Sequence, residues 1–239
     1  MANSCHPAAG YISGRGFYRD QLGPVLQVLA LPRVVEDAAE ARKALVAAGD
    51  TDSWVWESLN RPSVVGSIQR RVRAWAEIGA PNMWLSILWT GIEVHPDCAM
   101  DFTKISWGSM VVRNKIQRRW MKQELQRLLV TGAIIRCGKD DLDFCSSVFL
   151  VDKPGPKRFR MVVNMKPLNP IWWHLENSFK MEGLKGFLMI AWPGAWSIVW
   201  DLCEGFFHLM LSAHLRRFFG IEFEGEFFCY LVQTFGWVE

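Results

Sequence analysis

Residues 146–163, SSVFLVDKPGPKRFRMVV, place two apolar runs on either side of Pro154-Gly155. A turn dipeptide between two such runs predicts an antiparallel β-hairpin. Side chains alternate faces along a strand. Arg158 and Arg160 therefore share one face, and Phe159, Met161 and Val163 share the other. Lys153 lies across the turn. A hairpin with lysine and arginine on one face can grip a triphosphate, arginine as a planar fork and lysine as a point charge. The same pattern also describes an ordinary edge strand protected by charge.

Further elements fit around this hairpin. VVEDAAEARKALVAAG (34–49) is rich in helix formers and stops at Gly49. Ser63 can cap a second helix over 64–79, closed by Gly79, with Arg70, Arg71 and Arg73 within one turn. Pro81 then opens a short apolar segment. Asn114 starts the clearest helix, in which Ile116, Trp120, Leu125, Leu128 and Leu129 make an apolar stripe and Gly132 is the stop. Arg118, Arg119, Lys122 and Arg127 fall mostly elsewhere on its surface. Residues 133–137 read as a strand, 182–190 as a short helix, and 195–202 as a buried strand ending at Asp201. FFGIEF and FFCYLV flank Glu224-Gly225-Glu226 as a second hairpin. Helices with antiparallel strands make the fold class α+β.

Charge is distributed unevenly along the 239 residues. The net charge is +3, but residues 61–136 alone carry 12 Lys/Arg against 5 Asp/Glu. That segment is the candidate surface for a polyanion, or else a solvated helix face. No apolar run reaches the roughly 18 residues of a membrane span. The N-terminus MANSCHPAAG lacks the regions of a signal peptide. The six cysteines form no C-x-x-C pair, which argues against a zinc site and for free thiols in an intracellular, cytoplasmic or nuclear setting.

Several residues can carry chemistry. Asp201 can hold a hard cation through its carboxylate, or cap the turn that follows it. Glu204 reads as structural or solvated. Phe206-Phe207 can pack in the core or floor a nucleotide pocket. Gly236 permits close approach of backbone to a ligand. His174, His208 and His214 have no ligand spacing and read as structural.

In order, the blocks SSVFLVDKPGPKRFRMVVNMKPLN (146–169), FKMEGL (179–184), IVWDLCEGFF (198–207) and YLVQTFGW (230–237) resemble the fingers and first palm segment of a reverse transcriptase. LQRLLVTGAI (125–134) is similar to the family's helix leading into its G-x-I strand. FKMEGL with WPGAWSIVWDL and RRFFGIEFEGEFFCYLVQTFGW, and RAWAEIGAP upstream, resemble retrotransposons of the DIRS type. The likeness covers roughly 68–239; residues 1–67 would be a helical or irregular extension.

The resemblance implies roles. Lys153 and Arg160 would contact the dNTP triphosphate. Asp201 would be the first catalytic metal ligand, with the Leu202 carbonyl beside it, in a two-Mg²⁺ site expected only in a longer domain. Phe206 would be the gate against a 2′-hydroxyl, and Phe235 and Gly236 would lie near nucleotide and template. The implied partners are an RNA or DNA template-primer and dNTP. Arg70, Arg71, Arg73, Arg118, Arg119 and Lys122 are the candidate nucleic-acid contacts, drawn from the basic segment. Asn164, Cys203-Glu204 and Thr234 depart from the family's usual Asp, Lys-Asp or Lys-Ser, and Pro. No Asp-Asp pair follows Asp201, so the expectation is a fragment that is inactive alone. The alternatives are a non-catalytic nucleic-acid-binding remnant and an unstable product without function.

Overall fold

The computed structural model describes residues 27–49, 55, 60–93, 107–108, 110–112, 114–154, 159–169, 186, 189, 192, 194, 196, 198 and 201–236. Two sheets and a central helix organise them. Helix α1 (Pro32–Ala47) is followed by α2 (Val72–Glu77) and α3 (Asn82–Thr90). Strand β1 (Met110–Val111) precedes the long helix α4 (Lys115–Thr131). Then come β2 (Ile134–Cys137), β3 (Cys145–Ser146), β4 (Val148–Asp152) and β5 (Phe159–Val163). The C-terminal part holds α5 (Ala213–Arg216), β6 (Gly220–Phe223) and β7 (Glu226–Tyr230). The chain is α+β, as its pattern predicts.

The first sheet runs β1-β4-β5, with β1 parallel to β4. β4 and β5 form the expected antiparallel hairpin, Val148 opposite Val163 and Val151 opposite Arg160. The second sheet runs β2-β7-β6-β3. Its β6–β7 hairpin turns on Glu224 (φ 53°) and Gly225 (φ 85°). Positive φ at both loop residues matches the right-handed twist of the flanking strands.

α4 is the core's organising element. Asn114 caps it by accepting the Gln117 N–H at 2.9 Å, and Gly132 ends it in the left-handed conformation. Met121, Leu125, Leu128 and Leu129 are buried among Ile134, Phe144, Val148, Ile221, Phe228 and Tyr230. The expected stripe is therefore corrected at its start. Ile116 is exposed, Met121 is buried, and Trp120 meets Phe159 of β5 in a T-shaped pair with ring centroids 5.8 Å apart.

Two further expectations are corrected. The helix over 64–79 is broken into a 3₁₀ turn (Gln69–Arg71) and α2. Gly66, at φ 62°, gives its N–H to the Phe207 carbonyl at 2.9 Å. The buried Gln69 amide is diverted to the Met210 backbone, and Ser63 donates to the Thr131 carbonyl at 2.7 Å. Tertiary partners have displaced the local helical ones.

The second is the strand ending at Asp201. Of that run, Trp196, Ile198, Asp201 and Leu202 are described; none is in a strand and all are exposed. The strands that flank the β6–β7 hairpin are β2 and β3. Gly186 and Met189 are helical as expected, while the rest of 182–190, the block 179–184, Arg158 and His174 lie outside the described residues.

Candidate functional site

The DLCEGFF block forms a short strap held from several sides. Glu204 has φ 50°, ψ 47°, and the 3₁₀ turn Gly205–His208 follows it. From α4, Arg127 reaches the Glu204 carboxylate at 2.5 Å and holds Glu124 with a fork at 2.8 and 2.9 Å. Burial works against the Arg127 charge. Glu124 and Glu204 more than offset it, so its pKa lies above the ordinary arginine value. From the 60s segment, Ser67 Oγ meets His208 Nδ1 at 2.5 Å. His208 Nε2 lies 2.9 Å from the Cys203 carbonyl, which can only accept. The neutral ring then carries its proton on Nε2, and the Ser67 hydroxyl donates to Nδ1. Farther along, Met210 and Ser212 bond to the Ile92 backbone, and Leu211 donates to Leu231.

This strap presents Phe206 to the TFG block. The Phe206 and Phe235 rings meet edge to face, centroids 5.2 Å apart and planes at 85°. Both rings remain partly exposed, Phe206 by 39% and Phe235 by 59%. Asn169, from the PLN block, donates to the Gly236 carbonyl at 3.0 Å. Three separate sequence blocks thus converge on one surface. Thr234 before them is buried, and among the described residues nothing pairs with its hydroxyl.

The hairpin carries a mixed face. Register puts Phe149, Val151 and Arg160 on the side away from the core; these three are exposed, and so is Lys153 just past the end of β4. Val148 and Val163 are buried on the opposite side. Asn164 donates to Ser147 Oγ at 3.2 Å, bracing the base of the hairpin.

Asp201 and Leu202 sit exposed at the start of the strap. The next carboxylate, Glu204, is committed to Arg127. No group of three His, Cys, Asp or Glu able to hold a metal occurs among the described residues. The described residues therefore do not fit a two-cation site.

The basic residues form two groups. Arg70, which reaches the Ser63 carbonyl at 3.4 Å, lies with Arg71 and Arg73 near the C-terminal end of α4. Arg73 pairs with Glu77 at 3.1 Å. Arg118, Arg119 and Lys122 lie toward the other end, roughly 14–20 Å away along the helix axis. Arg118 and Lys122 both hold Glu224, Lys122 at 2.9 Å. Hydrogen bonding from Lys122, joined by Arg118, keeps the Glu224 carboxyl below its ordinary pKa.

The sequence reading missed Asn169, Gln69, Arg127 and Glu224. Only the Glu124/Arg127 spacing of three on a helix gave a local signal. Among the described residues no helix is long and apolar enough to cross a membrane.

No family model matches the chain, and no curated protein matches it. Among solved structures it is similar to the native protease-reverse transcriptase of prototype foamy virus, at 18% identity over 62% of this chain and 19% of that one, TM-score 0.45. It is also similar to the foamy viral protease-reverse transcriptase in complex with RNA/DNA hybrid, at 17% identity over 63% of this chain and 18% of that one, TM-score 0.41. A third is that protein in complex with dsDNA, at 14% identity over 72% of this chain and 39% of that one, TM-score 0.44. The chain spans less than two thirds of the length of each.

Proposed function

We propose that this chain is the fingers and first palm segment of an RNA-directed DNA polymerase of the DIRS retrotransposon type, working in an intracellular setting. One observation carries the reading: PLN, DLCEGFF and TFG, far apart in sequence, meet through the Asn169–Gly236 and Phe206–Phe235 contacts. Their order resembles reverse transcriptases, and their meeting is what a nucleotide site needs.

In this reading Lys153 and Arg160 hold the dNTP triphosphate, Phe206 excludes the 2′-hydroxyl, and Phe235 and Gly236 border nucleotide and template. The Leu202 carbonyl lies beside Asp201, the one carboxylate assigned to Mg²⁺. The reaction is attack of a primer 3′-hydroxyl on the dNTP α-phosphate with release of pyrophosphate. A single exposed carboxylate does not hold that ion well, because Mg²⁺ gives up water reluctantly. The 239-residue chain alone is therefore expected to bind substrates without extending a primer.

Extension of a primed RNA template with Mg²⁺ or Mn²⁺ tests this. Extension that disappears in Asp201→Ala would keep the residue and overturn the inactivity of the segment. Extension that survives Asp201→Ala would overturn the site.

A second reading, nucleic-acid binding without catalysis, is favoured by the four cations Lys115, Arg118, Arg119 and Lys122 near the start of α4. Tight, salt-sensitive binding of hybrid without dNTP binding would favour it.

A further inference from the structure

The first two turns of α4 contain Lys115, Arg118, Arg119 and Lys122, and no acid occupies the first turn. The N-terminal end of a helix carries partial positive charge, so cations are disfavoured there. Four in two turns run against the helix's own field. These residues line a groove of about 390 Å³ whose other wall is the last turn of α1. Gln126 also lines the groove, and among the described residues no donor reaches its buried Oε1.

Glu224 is the second departure from local preference. It sits at φ 53° in the two-residue turn between β6 and β7. Glycine, asparagine and aspartate are the usual residues there, because a left-handed backbone crowds the Cβ against the backbone carbonyl, which glycine lacks and short polar side chains offset by local hydrogen bonds. Yet the turn brings the Glu224 carboxylate between Arg118 Nε and Lys122 Nζ. Two oxygens held by a guanidinium and an ammonium resemble the non-bridging oxygens of a phosphodiester in the same grip.

We propose that this groove binds the phosphodiester backbone of a nucleic acid, and that Glu224, which lines the adjoining groove on the other side of Lys115 and Arg118, occupies the Arg118–Lys122 pair as an internal stand-in that phosphate displaces. The site lies at the opposite end of α4 from the Glu204–Phe206 strap, and α1, in the part without polymerase likeness, forms one wall. The proposal deepens the nucleic-acid part of the function above and rests on it.

The test is anisotropy of a labelled RNA/DNA hybrid of about 20 base pairs with the full chain, between about 50 and 200 mM salt. Glu224→Asn removes the carboxylate and supplies a residue the turn favours. It is expected to bind about three- to tenfold tighter than the parent, with the logarithmic salt dependence steeper by about 1–2. Arg118→Gln/Lys122→Gln is expected to weaken binding about tenfold and to cancel the gain from Glu224→Asn. Thermal melts of each variant report folding. Equal binding by Glu224→Asn and the parent would overturn the proposal. So would unchanged binding by the double variant, which would put the nucleic acid elsewhere and leave the polymerase reading standing. Hybrid bound by none of the variants would overturn both the groove and the nucleic-acid reading.

Discussion

The Phe206 and Phe235 rings pack edge to face with centroids 5.2 Å apart, joining the DLCEGFF strap to the TFG turn. An edge-to-face pair of this geometry is worth roughly 0.5–1.5 kcal/mol beyond its buried area. A double-mutant cycle with Phe206→Leu and Phe235→Leu, followed by urea denaturation, should return a coupling of that size. Additive losses would mean that the rings do not support each other.

Arg127 fixes the same strap from behind. Its side chain is only 10% exposed and holds Glu124, at 12%, and Glu204, at 29%. Removing one partner of a buried pair leaves the others uncompensated, at about 3–5 kcal/mol. Arg127→Ala should lie toward the low end, since Glu204 can rehydrate. A loss under about 1 kcal/mol in chemical denaturation would show the triad to be a surface pair in effect.

Thr234 stands where the resembling family places proline, and its buried hydroxyl meets no partner among the described residues. An unpaired buried hydroxyl costs about 1–3 kcal/mol. Thr234→Val keeps the shape and removes the hydroxyl. It should raise the melting temperature by about 2–4 °C per kcal/mol recovered. A lower melting temperature would mean that the hydroxyl is paired.

Burial pushes the thiols of Cys145 and Cys229 up to about 12 and that of Cys137 to about 11. Cys203 is exposed. At about pH 8, alkylation should mark Cys203 and spare these three until the chain unfolds, since the thiolate is the nucleophile. Peptide mass spectrometry reads the difference. The sign for stability follows. Above the ordinary thiol value, near 8.5, the unfolded chain loses these protons first, so stability falls as pH rises from about 9 toward 12. A rise over that range would contradict the burial.

Much of the scaffold was legible because its signals are local. Pro154-Gly155 marked the first hairpin, Gly225 the second, and Asn114 with Gly132 bounded α4. The failures are tertiary. Gln69 bonds to Met210 across 141 positions, and that bond, with Gly66, breaks a helix that periodicity extends through. Arg127 and Glu204 are 77 positions apart, so nothing local announces their pair. The apolar run before Asp201 satisfies the pattern of a buried strand, but β2 and β3 take the places beside the hairpin. Motif order singled out Phe206, Phe235 and Gly236, and the structure brings the three into one neighbourhood. It could not supply Asn169 as the residue that binds Gly236.

Nucleotide affinity of the chain with bound RNA/DNA hybrid and Mg²⁺ tests the central claim most directly, measured in parallel for a dNTP and its ribonucleotide. Phe206 as the gate predicts dNTP preferred by about tenfold or more, in the range that a pocket rejecting an added hydroxyl can reach. Phe206→Ala should erase the preference, and Lys153→Ala or Arg160→Ala should weaken both nucleotides alike. Equal affinity of the parent chain for the two nucleotides, or binding of neither, would contradict a polymerase nucleotide site at Phe206 and Phe235.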